Sequence, residues 1–282
     1  MSESTSISTT RSVRGRASTG GPDAPPSSMM WAMGTRSDAR RTGGLGPAPD
    51  PEPYRVTSEF YDLLHRRGYR RWARRELAGL AGQARHGVVE IGAGTGVVTE
   101  VLAEAAAVPV HAVEPSRPMR AVLLSRWAAS PPMRRRVRVW PTPFEQLRLG
   151  ASADLVVCVN LVNSLSPADR DRLWAAARDM LRPGGVVVLD RQGPAPTRPR
   201  VLSTVSVGEV CYAVSVSVAP LPDSTRQRWT FRYTVSEARE TVREEVESFD
   251  LWPVEESDVG TGLAEAGFSA QPGSAGLLVF RR

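Results

Sequence analysis

The stretch Val88-Val89-Glu90-Ile91-Gly92-Ala93-Gly94-Thr95-Gly96, VVEIGAGTG, decides the fold. A short apolar run rich in β-branched residues stops at three closely spaced glycines, the pattern of a buried strand turning into a nucleotide-binding loop. Glycine lets the backbone turn tightly and approach a ligand with no Cβ in the way. The dinucleotide fingerprint G-x-G-x-x-G, counted from Gly92 and Gly94, needs its third glycine at position 97. That position is Val97, and the third glycine comes one residue early, at Gly96. The offset argues against a dinucleotide ligand.

Outward from the loop, apolar runs alternate with helical patterns. Val97–Ala107, Met119–Ala129 and Pro167–Leu181 read as helices, and Val108–Val113, Val137–Trp140, Leu155–Val159 and Val186–Leu189 as strands. Valine-rich strands without polar alternation belong to a parallel sheet covered on both faces, so the expected fold is α/β and doubly wound. Upstream, the run from Glu59 through Trp72 and Leu77 to Leu80 has helical spacing and predicts one or two helices. From Val201 to Trp252 the period becomes two. Val210, Tyr212, Val214, Val216 and Val218 share one face, and Trp229, Phe231, Tyr233 and Val235 alternate with Arg228, Thr230, Arg232 and Thr234. With a third strand near Glu240–Trp252, this predicts a small antiparallel sheet inserted before a helix at Val254–Ala266 and a terminal strand at Leu277–Phe280. The expected organisation is an N-terminal extension over 1–50, a core with a helical lid over 51–200, the insertion over 201–252, and a closing helix and strands over 253–282.

Residues 1–50 are rich in Ser, Thr, Gly, Pro and Arg with no hydrophobic period, and read as a disordered extension. Met29, Met30 and Met33 offer later starts within it. The net charge of +6 suggests nucleic acid, but all 36 basic residues are arginine, which together with the Ala, Gly, Pro and Val enrichment points to a GC-rich coding sequence instead. Cys158 and Cys211 lie far apart in apolar runs, the signature of buried free thiols, with no metal-ligand spacing. No run reaches the ~18 apolar residues of a membrane span and no signal-peptide core is present. The expectation is a cytoplasmic protein binding neither nucleic acid nor membrane.

Glu90 sits inside the strand end, an odd place for a carboxylate unless it bonds the loop or a cationic ligand. Glu114 ends the next strand, where ribose hydroxyls are gripped in such folds. The succession EIGAGTG, VHAVEPS and LRPGGVVVLD resembles the class I methyltransferases that use S-adenosylmethionine, closely over about residues 54–190. The resemblance implies a Rossmann-like, mostly parallel, seven-stranded sheet whose last strand is antiparallel. It implies that Glu90, Gly92, Ala93, Gly94 and Gly96 cradle the methionine part of the cofactor and that Glu114 accepts from both ribose hydroxyls. Pro115 shapes the turn, Met119 packs near the adenine, and Asn160, Leu161 and Asn163 run beside the adenosyl group. One departure stands out. Where the family offers an acid to the adenine amino group, this chain has Trp140-Pro141-Thr142-Pro143-Phe144-Glu145, so Glu145 or a backbone carbonyl is left to bond the amine and Phe144 to stack on the ring.

The acceptor is less legible. His86 and His111 read as structural, and His65 on the N-terminal helix is either a substrate contact or a surface residue beside Arg66 and Arg67. Phe60-Tyr61-Asp62 resembles the Y-D pair of small-molecule methyltransferases, which makes Tyr61 an active-site wall or a core residue. Asn160-Leu161-Val162-Asn163 lacks the N/D-P-P-Y/F tetrad of nucleic-acid amino methyltransferases. The insertion resembles the substrate-covering sheet of small-molecule N-methyltransferases, which also mediates dimers, so a homodimer through it is one expectation. The whole chain is similar to actinobacterial biosynthetic methyltransferases, including those that dimethylate the terminal amine of daptide-type ribosomal peptides. The expected activity is N-methylation of an amine in a small molecule or peptide. The alternatives are O-methylation of a hydroxylated metabolite and cofactor binding without catalysis.

Overall fold

Strand β1 (Val88–Ile91) and its neighbour β2 (Val110–Val113) are buried at every position, as expected of strands covered on both faces. The computed structural model describes residues 52–222 and 225–282. The reading of residues 1–50 therefore lies outside the described residues. Around β1 and β2 stand β3 (Val137–Trp140), β4 (Ala153–Cys158) and β5 (Leu181–Asp190), all parallel, in the order β5-β4-β1-β2-β3. The C-terminal β11 (Leu277–Arg281) adds antiparallel to β5, and β10 (Ser269–Gln271) pairs with it at the sheet edge. This is the expected seven-stranded, doubly wound sheet with an antiparallel last strand.

Alternate residues of β1 and β2 feed two cores. Val88, Val110 and Ala112 face one, and Val89, Ile91 and Val113 face the other. Helices α1 (Thr57–Glu76), α2 (Ala78–Gln83), α3 (Val97–Ala105), α4 (Arg117–Ala129) and α5 (Pro131–Arg136) cover the first face. Helices α6 (Pro167–Met180) and α7 (Glu256–Glu265) cover the second. Their starts follow capping rules. Ser116 and Ser166 accept from the N–H groups of Met119 and Asp169, and a proline follows within the first turn of each helix. The strand order reverses between β1 and β4, so ligands are expected at the carboxyl ends of these two strands.

The second sheet is an antiparallel meander of four strands, β6 (Arg200–Val207), β7 (Val210–Pro220), β8 (Gln227–Glu237) and β9 (Glu240–Leu251). Its inner face, with Val214, Val216, Trp229, Phe231, Tyr233 and Phe249, is buried against the start of α1. Tyr233 stacks on Phe60 with ring centroids 4.8 Å apart and donates to Thr57 Oγ1 at 2.9 Å. The Thr57 N–H donates to Glu247 at 2.7 Å, and the Ser203 hydroxyl donates to the Leu64 carbonyl at 2.7 Å. The meander thus holds the helix that closes the cleft. Cys158 is buried as expected, whereas Cys211 is only half-buried, and both are free thiols.

Candidate active site

β1 runs straight into the loop, and two of its glycines are there for different reasons. Gly94 has φ +56°, and a Cβ added to it meets nothing within 4 Å, so the space beside it is open to a ligand. Gly96 has φ +82°, and its Cβ would lie 2.4 Å from Leu123 Cδ1 on α4. Gly96 is therefore a packing glycine at the start of α3, where sequence reasoning had it touching the ligand. Gly96→Ala is expected to lower thermal stability through both strain and overpacking, by roughly 1–3 kcal/mol. Calorimetric melting checks this, and an unchanged melting temperature contradicts it.

Two adjoining cavities open above the loop. The first is lined by Tyr61, Tyr69, Glu90, Gly92, Ala93, Gly94, Thr95, Val97, Val98, Val159 and Asn160. The second is lined by Tyr54, Gly92, Gly94, Glu114, Met119, Val159, Asn160 and Leu161. They share Gly92, Gly94, Val159 and Asn160, which makes one bent cleft across the carboxyl ends of β1, β2 and β4. Glu114 lies at the second limb, its two oxygens accepting from the N–H groups of Gly94 and Ser116 at 2.7 Å each. Glu90 lies at the first limb and accepts from the Thr99 hydroxyl at 2.5 Å.

Burial lifts both carboxyls above their ordinary 4.5. Glu90 rises to about 8, with the Thr99 hydroxyl pulling it down and the Glu114 charge pushing it further up. Glu114 rises to about 7, its two N–H partners and Arg120 drawing it down against burial. A carboxyl whose folded pKa lies above its unfolded value binds its proton more tightly in the folded chain. These two groups therefore make stability fall as pH rises from about 4.5 through 7 to 8. A cationic ligand favours the ionised forms, so its binding is expected to release protons and to tighten across the upper part of the same window. Titration calorimetry in buffers of different ionisation enthalpy reads this directly, and equal heats below pH 7 would contradict it.

The cleft wall opposite the loop is α1. Tyr61 and Tyr69 stack with centroids 5.9 Å apart, and Tyr69 accepts from the Asn160 side chain at 2.9 Å. Asn160, at φ +54°, is also fixed through its own N–H, which donates to Asp190 at 2.9 Å. Burial raises Asp190, the last residue of β5, to about 7. A partly buried polar network bolts α1 to the loop. Asp62 accepts from the Thr95 hydroxyl at 2.7 Å and pairs with Arg126, whose Nε donates to the Thr95 carbonyl at 2.9 Å. Arg126 also reaches Glu100 at 3.4 Å. Sequence reasoning quoted Asp62 beside Tyr61, and Asp190 at the end of LRPGGVVVLD, without giving either a role, and it assigned no role to Arg126, Tyr69 and Tyr54.

The other expected residues are placed as follows. His65 is buried behind Tyr61, 5.4 Å from its ring, and burial lowers it to about 3, which makes it a neutral imidazole and not a surface residue. Phe144 is buried in the core on the α6 face and lines neither cavity. Glu145, Pro115 and Asn163 also lie outside both cavity linings. Pro115 fixes the turn after β2 through its carbonyl, which accepts from Arg120 at 2.9 Å, and the Asn163 carbonyl accepts from the Trp252 N–H at 2.8 Å. His111 accepts from the Trp140 indole at 3.0 Å, and His86 pairs with Asp154 at 2.9 Å.

Residues 88–185 match the family model described as a methyltransferase domain. Among solved structures, the chain is similar to S-adenosylmethionine-bound CalS10, an amino pentose methyltransferase from Micromonospora echinaspora involved in calicheamicin biosynthesis. The TM-score is 0.64 at 21% identity, covering 83% of this chain and all of that one, 100%. It is similar to DesVI from Streptomyces venezuelae, with TM-score 0.64, 18% identity, and 79% and 97% of the two chains covered. It is also similar to the sugar N-methyltransferase KedS8 from a Streptoalloteichus species, with TM-score 0.60, 21% identity, and 88% and 99% covered. No curated protein matches the chain.

Proposed function

We propose that this chain, a class I methyltransferase by its domain match and its fold, with S-adenosylmethionine as methyl donor, methylates the nitrogen of an amine in a small-molecule or peptide natural product. The observation that carries the choice of nitrogen is the character of the cleft walls. No histidine lines either cavity and the two carboxyls there are taken up by the donor, so the walls offer no general base of the kind a hydroxyl acceptor needs, whereas an amine need only arrive unprotonated. The names of the amino pentose and sugar N-methyltransferases of the same fold agree with that reading.

The residues present fit the donor. The open space at Gly94 admits a ligand against the backbone, and the two carboxyls suit a cationic methionine end and a ribose. When bound, the donor supplies a methyl on a sulfonium with a thioether leaving group, so the protein contributes position and desolvation. Glu90 faces the ammonium of the donor, Glu114 takes the ribose hydroxyls, and Met119 and Leu161 pack the adenosyl part. Gly92 and Ala93 form the floor and Asn160 the wall shared by both limbs. Tyr61 lines the acceptor side and His65 backs it, held neutral by burial.

The antiparallel meander covers the acceptor side and offers a homodimer surface. The division into a cofactor core over 51–200, a covering insertion over 201–252 and a closing segment over 253–282 belongs to the same proposal. No helix among the described residues is long and apolar enough to cross a membrane, and a cytoplasmic enzyme is proposed. Incubation of the full chain with methyl-labelled S-adenosylmethionine and parallel panels of amino and hydroxylated metabolites tests the reading. Label on nitrogen is the expected result. Label on oxygen alone assigns the chain to the O-methyltransferases, and binding without transfer assigns it to inactive cofactor binders.

A further inference from the structure

Tyr54 is the residue at which the chain enters α1, and three observations meet on it. Its backbone lies at φ +70°, the left-handed region that bulky residues occupy only when their surroundings hold them there. Its ring is 2% exposed and stacks on Phe249 of β9, with centroids 5.0 Å apart and planes at 28°. It forms part of the second limb of the cleft, with Glu114, Met119 and Leu161. The holding structure is extensive. The Tyr54 carbonyl accepts from the Ser58 N–H at 3.0 Å, and Phe249 is braced edge-on by Phe231 at 5.9 Å. The neighbouring Thr57 is tied to Glu247 and Tyr233.

The opposite side of the limb lacks what the segment after β3 was expected to supply. Phe144 is buried in the core on the α6 face, and neither Thr142, Pro143 nor Glu145 lines the cavity. The aromatic side chain that does face this limb comes from the other wall.

We propose that Tyr54 is a cofactor-binding residue whose ring closes the adenosyl limb and packs against the purine nucleoside of S-adenosylmethionine. The strained backbone is the means of presenting the ring, and the stack on Phe249 makes the antiparallel meander part of the cofactor site as well as a cover. This rests on reading the second limb as the adenosyl site.

The test is equilibrium binding of S-adenosylmethionine, S-adenosylhomocysteine and adenosine to the full chain and four variants. Tyr54→Phe keeps the ring. Tyr54→Gly and Tyr54→Asn both remove it, and both tolerate the left-handed backbone, so the segment keeps its path. Glu114→Ala reports on the limb independently. Tyr54→Phe is expected to bind within about threefold of wild type, and Tyr54→Gly and Tyr54→Asn to weaken all three ligands by about tenfold or more, as the loss of a base–aromatic contact does. If both ring-less variants bind like wild type while Glu114→Ala is weakened, the limb holds the cofactor and Tyr54 does not touch it, which overturns the inference. If Glu114→Ala also binds like wild type, the reading of the limb fails, and this inference with it.

Discussion

Gly94→Val is expected to abolish measurable binding of S-adenosylmethionine while leaving a folded protein. The added Cβ meets no protein atom within 4 Å, so little in the chain is displaced, and the branched side chain enters the space shared by both limbs of the cleft. A β-branched residue at φ +56° also carries a local penalty of roughly 1–2 kcal/mol, which lowers the melting temperature without removing the fold. The expected loss of affinity is about a hundredfold or more, because the side chain and the cofactor compete for one volume. Circular dichroism establishes the fold and calorimetry the binding. Wild-type affinity in this variant would mean that the loop is not the cofactor floor. The contrast with Gly96→Ala, where stability and not access is expected to suffer, separates the two glycines that look alike in sequence.

Glu114→Ala is expected to weaken the cofactor by roughly one to three powers of ten, with Glu114→Gln in between. Each charge-assisted hydrogen bond from a ribose hydroxyl is worth about 1.5–3 kcal/mol. The alanine variant also strips the Gly94 and Ser116 N–H groups of their acceptor, so the loop itself is loosened, whereas glutamine keeps an acceptor for one of them. Because the ribose does not change during methyl transfer, this is uniform binding. The cofactor KM is expected to rise while kcat stays nearly level. A fall in kcat with unchanged KM would place Glu114 in the chemistry instead.

Much of the parallel sheet was readable because fully buried strands announce themselves as apolar runs and the glycines mark where one ends. β10 was not, being three residues long with no period to show. β6 was blurred by its position. It is an edge strand, its pairing with β7 shifts register between Val201 and Ser203, and Val201 and Val207 are exposed, so its alternation carries no clean core face. In the site, the places of Glu90, Gly94 and Glu114 in the cleft were legible because each follows from a strand end. The Asp62–Thr95–Arg126 network was not, since its members come from α1, the loop and α4, and Arg126 is 64 residues from Asp62. Phe144 shows the opposite error. It follows β3 directly and so invited an adenine contact, but the short 3-10 turn Phe144–Gln146 rolls its ring into the core beneath α6. Tyr54 was invisible for a third reason, because its contribution depends on a positive φ that nothing in the local sequence announces.

The loop at Gly92–Gly96 and the acids Glu90 and Glu114 are proposed to hold S-adenosylmethionine and not a dinucleotide. Titration calorimetry of the full chain at pH 8 with S-adenosylmethionine, S-adenosylhomocysteine and NAD tests it most directly. Saturable one-to-one binding of the first two, each accompanied by proton release, with no heat from NAD, is the predicted result. Binding of NAD without binding of S-adenosylmethionine would contradict it.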